Sequence, residues 1–494
     1  MAACVVMLVS VIFRDTFGPS RIGRDMNPAG ARLRITIGLS AFFFPALVTS
    51  QDITASEYAA RRRALMERMP DGIGLIHAAS GKLQSEPSFV QAATFFYFTG
   101  DFASPSAILA LDGAAKQAHL FVPPAPNAFG FDVEGVVAEI GAQSAARREL
   151  TSVQPWDSLL PFLRRRLGDG VTTLYVDESR WREALGVPSG LDPVGGSQEL
   201  WRRSLTRAFP ATPVKSMAAA IRELRFVKSP AEVTILRDNA RTTATALRSG
   251  LGAVRPGGRQ RMAEMRVAAA CVEAGAVGPS FWPWMMSGPN AHVKQLVHAD
   301  FSYTQLDRLM RAGELVRVDI GCAKHGYGAD VGRTVPVSGR FTAGQAETWN
   351  LLIAAYRVGM ARMKGGVART DVLAASRAEI ARLQATLTTA QGRRAAQRLL
   401  APDGMADWSI HSVGVDSGES ALPILAAGAV VAFEPIFSVD DDAFYLEDMI
   451  LITETGYEVL SAGLPYTAKE IETAMAAARG SRAGKAAAPG DGAR

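Results

Sequence analysis

Four acidic residues in the last third of this 494-residue chain lie inside runs that otherwise read as buried β-strands. Asp319 sits in Glu314-Leu-Val-Arg-Val-Asp319-Ile-Gly. Asp330 follows in Gly326-Tyr-Gly-Ala-Asp330-Val-Gly-Arg-Thr334, after the turn signal Lys324-His325-Gly326. Glu434 ends Ala429-Val-Val-Ala-Phe-Glu434, and Glu447 lies in Phe444-Tyr-Leu-Glu447. A buried carboxylate is costly unless it is paired, hydrogen-bonded or bound to metal. A fold that buries these strands must therefore gather the acids around something positive. The two aspartate runs read as a hairpin, which can bring both carboxylates to one spot. With His411, in Trp408-Ser-Ile-His411, the set has the hardness and number of donors for two divalent metals.

Bulk properties narrow the class. The chain is 48% hydrophobic and 20% charged, the composition of a globular protein with room for two or three domains. Its net charge of +5 suggests a polyanion partner, but residues 1–50 and 476–494 carry +3 each, which leaves 51–475 at −1. No basic face for nucleic acid is expected. Arg32-Leu-Arg34 precedes an apolar stretch from Ile35 to Val48, and cleavage after Ser50 suits a leader. Met26 is the expected start, and the expected localisation is periplasmic or secreted. The stretch is too short and Pro-interrupted for a membrane span. Cys4 would leave with the leader. Cys271 and Cys322 form no disulfide framework in this reading, and Cys322 reads as core packing. HExxH, GxSxG, P-loop and strand-borne GxGxxG motifs are absent from the sequence.

After the leader (1–50), residues 51–212 read as an α/β domain. It has helices over Tyr58–Arg68 and Val153–Leu167. Strands are expected over Gly72–His77, Thr94–Thr99, Ala107–Leu111, His119–Val122 and Thr172–Val176. Pro210–Val214 reads as the hinge. The second domain, 213–475, opens with helices over Met217–Leu224, Ala231–Leu251 and Arg261–Gly275. Its strands resume at Trp282, and a helical pair, Thr348–Gly365 and Thr370–Leu387, separates Asp330 from His411. Residues 476–494, rich in Ala, Gly and Arg, read as a disordered tail.

Residues Met217 to Ile471 resemble the pita-bread metallopeptidases: aminopeptidase P, prolidase and methionine aminopeptidase. The resemblance is carried by Ile221-Arg-Glu-Leu-Arg-Phe-Val-Lys-Ser-Pro, Ser287-Gly-Pro-Asn290, the two-aspartate hairpin, Glu434-Pro435, Leu446-Glu447-Asp448 and Thr453-Glu-Thr-Gly-Tyr-Glu-Val-Leu460. Thr94-Phe-Phe-Tyr-Phe-Thr-Gly100 resembles the accessory N-terminal domain of aminopeptidase P and creatinase. The resemblance implies a two-domain α/β protein with an α+β pita-bread catalytic domain. It implies a dinuclear hydrolase that removes N-terminal residues from peptides, as an Xaa-Pro aminopeptidase or a dipeptidase, with a possible homodimer. Asp319 and Glu447 would bridge the metals, Asp330 would complete one site, and His411 and Glu434 the other. Glu434 would carry a proton to the leaving amine. His298, with His292 as competitor, would donate to the oxyanion. An oxygen-rich set suits Mn²⁺, with Zn²⁺, Co²⁺ and Fe²⁺ as alternatives.

Several positions depart from the family pattern. Asp407 and Gly418 stand where proline-directed members have histidines. Tyr445 replaces an arginine, and Gly332 a threonine. These changes leave open a non-peptidase hydrolase or lyase on the same fold, or a non-catalytic binding relative. Five retained ligand positions favour the metallohydrolase.

Overall fold

The computed structural model describes residues 53–80, 90–125, 127–128, 131–132, 135–178 and 197–487. The expected leader, its cleavage point and the last seven residues lie outside them. Among the described residues, no helix is long and apolar enough to cross a membrane.

In the first region, α1 (Ala55–Met66) starts at Thr54, whose side chain accepts from Glu57 N. It is followed by β1 (Gly72–His77), α2 (Ala93–Thr99), β2 (Ile108–Asp112), β3 (Gln117–Val122), β4 (Ser152–Pro155), α3 (Leu159–Gly168), β5 (Thr173–Val176), α4 (Ser197–Ala208) and β6 (Val214–Ser216). The strands make one mixed sheet in the order β4-β3-β2-β1-β5-β6. β1–β2 and β2–β3 are antiparallel; the other pairs are parallel. Because β6 closes this sheet, the chain leaves it after Ser216, slightly beyond the expected division at 212.

Two expectations in this region fail. Thr94–Thr99 is a helix, not a strand. A short apolar run fits a buried helix as well as a buried strand, and here Gly100 caps it with a left-handed φ of 68°. Val153–Leu167 is split: its start pairs with β3 as a strand, and Pro155, which lacks a backbone donor, precedes the turn into α3.

The second region begins with α5 (Ala218–Phe226) and α6 (Pro230–Leu251). α6 opens on a capping box between Ser229 and Glu232, with Pro230 in its first turn. Then come α7 (Gln260–Glu273), β7 (Trp284–Ser287), α8 (Val293–Leu306), β8 (Leu315–Ile320), β9 (Cys322–Ala323), β10 (Val331–Pro336), α9 (Ala343–Met360), α10 (Arg369–Leu383) and α11 (Ala390–Leu400). The end of the chain adds β11 (Ser409–Ser412), β12 (Val430–Glu434), β13 (Ile436–Val439), β14 (Asp442–Tyr445), β15 (Asp448–Ile452), β16 (Tyr457–Val459) and α12 (Ala468–Ala487). Two antiparallel sheets, β7-β8-β10 and β11-β12-β15-β16, pack into one core with the helices.

Two further expectations are corrected here. Residues 476–487 continue α12 instead of forming a disordered tail. Ile471 and Met475 are buried, and Arg479 Nη2 donates to the carbonyls of Val254 and Val337, so the Ala-rich helix is anchored. Cys271 and Cys322 are joined in a disulfide with Cα atoms 5.5 Å apart. Their 51-residue separation gives no pairing signal; the packing of α7 beside β9 brings them together.

The regions meet at the aspartate hairpin. Phe96 of α2 lies against Gly326, where a Cβ would come within 2.3 Å of its ring. Tyr327 donates to Glu232 Oε1 at 2.9 Å, and Arg61 of α1 lies 3.5 Å from the other Glu232 oxygen. The first region thus braces the loop between Asp319 and Asp330.

Candidate metal centre

Backbone pairing brings the acids together. Asp319 on β8 is in register with Gly332 on β10, and Gly332 exchanges two backbone hydrogen bonds with Glu447. His411 on β11 is opposite Ala432, and Ser409 is opposite Glu434. Arg333 fixes the second row: it donates to the Glu447 carbonyl at 2.7 Å and to Asp448 Oδ1 at 2.9 Å.

His411 Nε2 faces three carboxylates, at 3.5 Å from Glu447 and 3.8 Å from Asp330 and Glu434. Its Nδ1 lies 3.1 Å from the Ser412 carbonyl, which orients the ring with Nε2 toward the acids. Donor atoms of Asp330, His411 and Glu447 lie within 4.8 Å of one another. Glu447, expected to bridge, thus lies beside one expected ligand of each site. Tyr445 donates to Glu447 Oε2 at 2.6 Å, with Glu434 Oε2 at 3.2 Å from the same hydroxyl.

The charges are poorly compensated. Glu447 is fully buried, and Glu447 Oε1 and Asp330 Oδ1 are buried without a hydrogen-bond partner among the described residues. Burial, then repulsion from Glu447, pushes the Asp319 carboxyl up to about 8. The same two causes raise Asp330 well above the carboxylate range and raise Glu434. Burial would lower His411, but Glu447 and Glu434 outweigh it and lift the imidazole to about 9. In the absence of another cation the centre therefore gathers protons. A divalent metal displaces such protons and uses the orphaned oxygens, so the donor set fits a metal.

The two other candidate histidines have contacts elsewhere. His298 is exposed on α8, with Nδ1 3.1 Å from Gln295 Oε1. His292 Nε2 lies 3.3 Å from the Asp441 carbonyl and lines a cavity of about 720 Å³ with Gly288, Glu314 and Asp440–Asp442; none of the five candidate ligands lines it. Sequence reading missed Arg317, buried on the same strand face as Asp319. The available signal was a charge two residues before the acid in an apolar strand.

Residues 234–454 match the model of metallopeptidase family M24, and 58–129 match the aminopeptidase P N-terminal domain. The Xaa-Pro aminopeptidase of Escherichia coli is 30% identical over 469 residues, spanning 87% of this chain and 99% of its own. The mitochondrial intermediate cleaving peptidase 55 of Arabidopsis thaliana is 25% identical, spanning 86% of this chain and 83% of its own. A solved structure of E. coli aminopeptidase P with the inhibitor Pro-Leu shares the fold, with a TM-score of 0.70 and 24% identity over 87% of this chain and all of that one. The chain therefore belongs to the aminopeptidase P family of M24 metallopeptidases, two-domain metal-dependent aminopeptidases that remove N-terminal residues from peptides.

Proposed function

We propose that this aminopeptidase is an exported, dinuclear Mn²⁺ enzyme of the Xaa-Pro type with a relaxed demand for proline. Asp319, Asp330, His411, Glu434 and Glu447 are its ligands in this reading. The carrying observation is the buried, under-compensated acid cluster centred on Glu447, with two orphaned carboxylate oxygens. Oxygen-rich donors favour Mn²⁺ over softer ions. When bound, two such ions supply a low-pKa water and polarise the scissile carbonyl. The protein's part is to hold the donors and to move protons. Glu434 is the least enclosed of the four acids, its side chain 27% exposed, and is the group assigned to pass a proton to the leaving amine. Tyr445 keeps Glu447 and Glu434 on one hydroxyl.

Export is supported by the leader-like segment and by the Cys271–Cys322 disulfide, a bond that persists in oxidising compartments. The relaxed specificity is inferred from Asp407, Gly418 and Tyr445. Loss of groups that grip a polar substrate atom can cost roughly 10⁴–10⁵ in discrimination at the extreme. The test is kcat/KM on Ala-Pro-Ala against Ala-Ala-Ala with Mn²⁺ present. A proline preference below about a thousandfold is expected, and a larger one would defeat the relaxed-specificity reading.

A further inference from the structure

Arg317 lies two residues before Asp319 on β8, so both side chains leave the same face of the strand. It is 1% exposed. Its Nη1 reaches Asp319 Oδ2 at 3.3 Å, while Nε and Nη2 are buried without a hydrogen-bond partner among the described residues. A buried guanidinium with so little direct pairing is unfavourable unless negative charge collects around it. Here Asp319 supplies it.

Tyr445 shares the pocket. The Arg317 Cζ atom lies 5.8 Å from the centroid of its ring. The ring rests on Gly332, where a Cβ would come within 2.0 Å of Tyr445 Cε1. No side chain at 332 is compatible with this ring position. Gly332 is also the residue in register with Asp319 and bridged to Glu447. Three residues from three strands thus meet beneath the acids.

We infer that Arg317 and Tyr445 are paired positioning residues of the metal centre. Arg317 holds one oxygen of Asp319 from below, the Tyr445 hydroxyl holds Glu447 and Glu434, and Gly332 gives the tyrosine its place. The inference rests on the metallopeptidase reading above. It also has a definite sign. A guanidinium acting only through charge repels a divalent cation, so its removal would tighten metal binding. A guanidinium that sets the Asp319 rotamer has the opposite effect, because its removal lets the carboxylate move.

The experiment measures metal content after dialysis in dilute Mn²⁺, the melting temperature of the metal-free protein, and kcat and KM on a tripeptide. Arg317→Leu is expected to lower metal affinity by about 10–100-fold, with Arg317→Lys intermediate. Tyr445→Phe is expected to lower kcat about tenfold with KM within about threefold. The double change Arg317→Leu with Tyr445→Arg moves the guanidinium across the same pocket and is expected to recover most of the lost metal. Tighter metal binding in Arg317→Leu, or unchanged metal with only a lower metal-free melting temperature, would overturn the role of Arg317. Wild-type kinetics and metal content in Tyr445→Phe, which removes one oxygen and should fold, would overturn that of Tyr445. A wild-type protein that takes up no Mn²⁺ and cleaves no peptide sinks the metallopeptidase reading itself. Loaded, active wild type beside unchanged variants sinks only this inference.

Discussion

Two buried ionic clusters, one on each side of β11, behave in opposite ways. On one side, Glu419 is enclosed by Arg225 Nη2 at 2.6 Å and Lys228 Nζ at 3.3 Å, and its backbone exchanges hydrogen bonds with Ser412. Burial would raise its carboxyl, but Arg225 and Lys228 overcome that and hold it down at about 2. On the other side, Asp330, Glu434 and Glu447 share His411, Arg317 reaches Asp319, and the carboxyls of Asp319, Asp330 and Glu434 rise. Both clusters sit in strands or turns of the same core. The compensated one locks the strand that carries His411; the under-compensated one awaits a cation. Burial of an acid does not mark a site by itself. The sign of the remaining charge does.

The largest effect is expected at the metal side. Glu447→Gln should abolish metal retention and cut kcat/KM by about 10³-fold or more, which is about 4 kcal/mol of transition-state stabilisation. The same variant, freed of metal, should melt no lower than the metal-free wild type, because repulsion is relieved. A metal-free protein strongly destabilised by this change would show that Glu447 is structurally compensated after all.

The reverse is expected at Glu419. Glu419→Gln leaves two buried cations short of a partner and should cost about 3–5 kcal/mol in chemical denaturation at neutral pH. The folded-state carboxyl is depressed, so its ionic contribution is complete above the unfolded value near 4.5 and is lost as pH falls toward about 2. The gap between wild type and Glu419→Gln should therefore narrow across that window. An equal gap at pH 7 and pH 2.5 would rule out an ionic origin.

The disulfide sharpens the division between stability and chemistry. Replacing Cys271 and Cys322 with serine opens a loop that contains Asp319 and should cost about 4 kcal/mol, with activity per folded molecule retained. The smallest effect is expected at the exposed histidine. His298→Ala should change kcat/KM by less than about threefold, since its side chain bonds Gln295 and not the acids. A loss near a hundredfold would restore it as an oxyanion donor.

Much of this was written locally in the chain. The four acids stood out because each interrupts an apolar strand, a conflict visible without coordinates. The helix expected over Ala231–Leu251 is α6, Pro230–Leu251. Errors arose where local signals were degenerate. Thr94–Thr99 is apolar on every side, so neither a period of two nor one of 3.6 is displayed, and contact with the aspartate hairpin goes with a helix there. The start of Val153–Leu167 pairs with β3, a partner more than 30 residues away.

The sequence by itself determined the donor chemistry, the family and the hairpin, because residue type and nearest-neighbour order encode them. Tertiary structure decided which acid is central, which charges go unanswered, and which cysteines meet. Glu447 lies beside Gly332 only because distant strands pair there, and Arg317 faces Tyr445 only because the β13–β14 hairpin packs against β8 and β10. Electrostatic compensation depends on distance and burial in space, and neither is a property of sequence spacing.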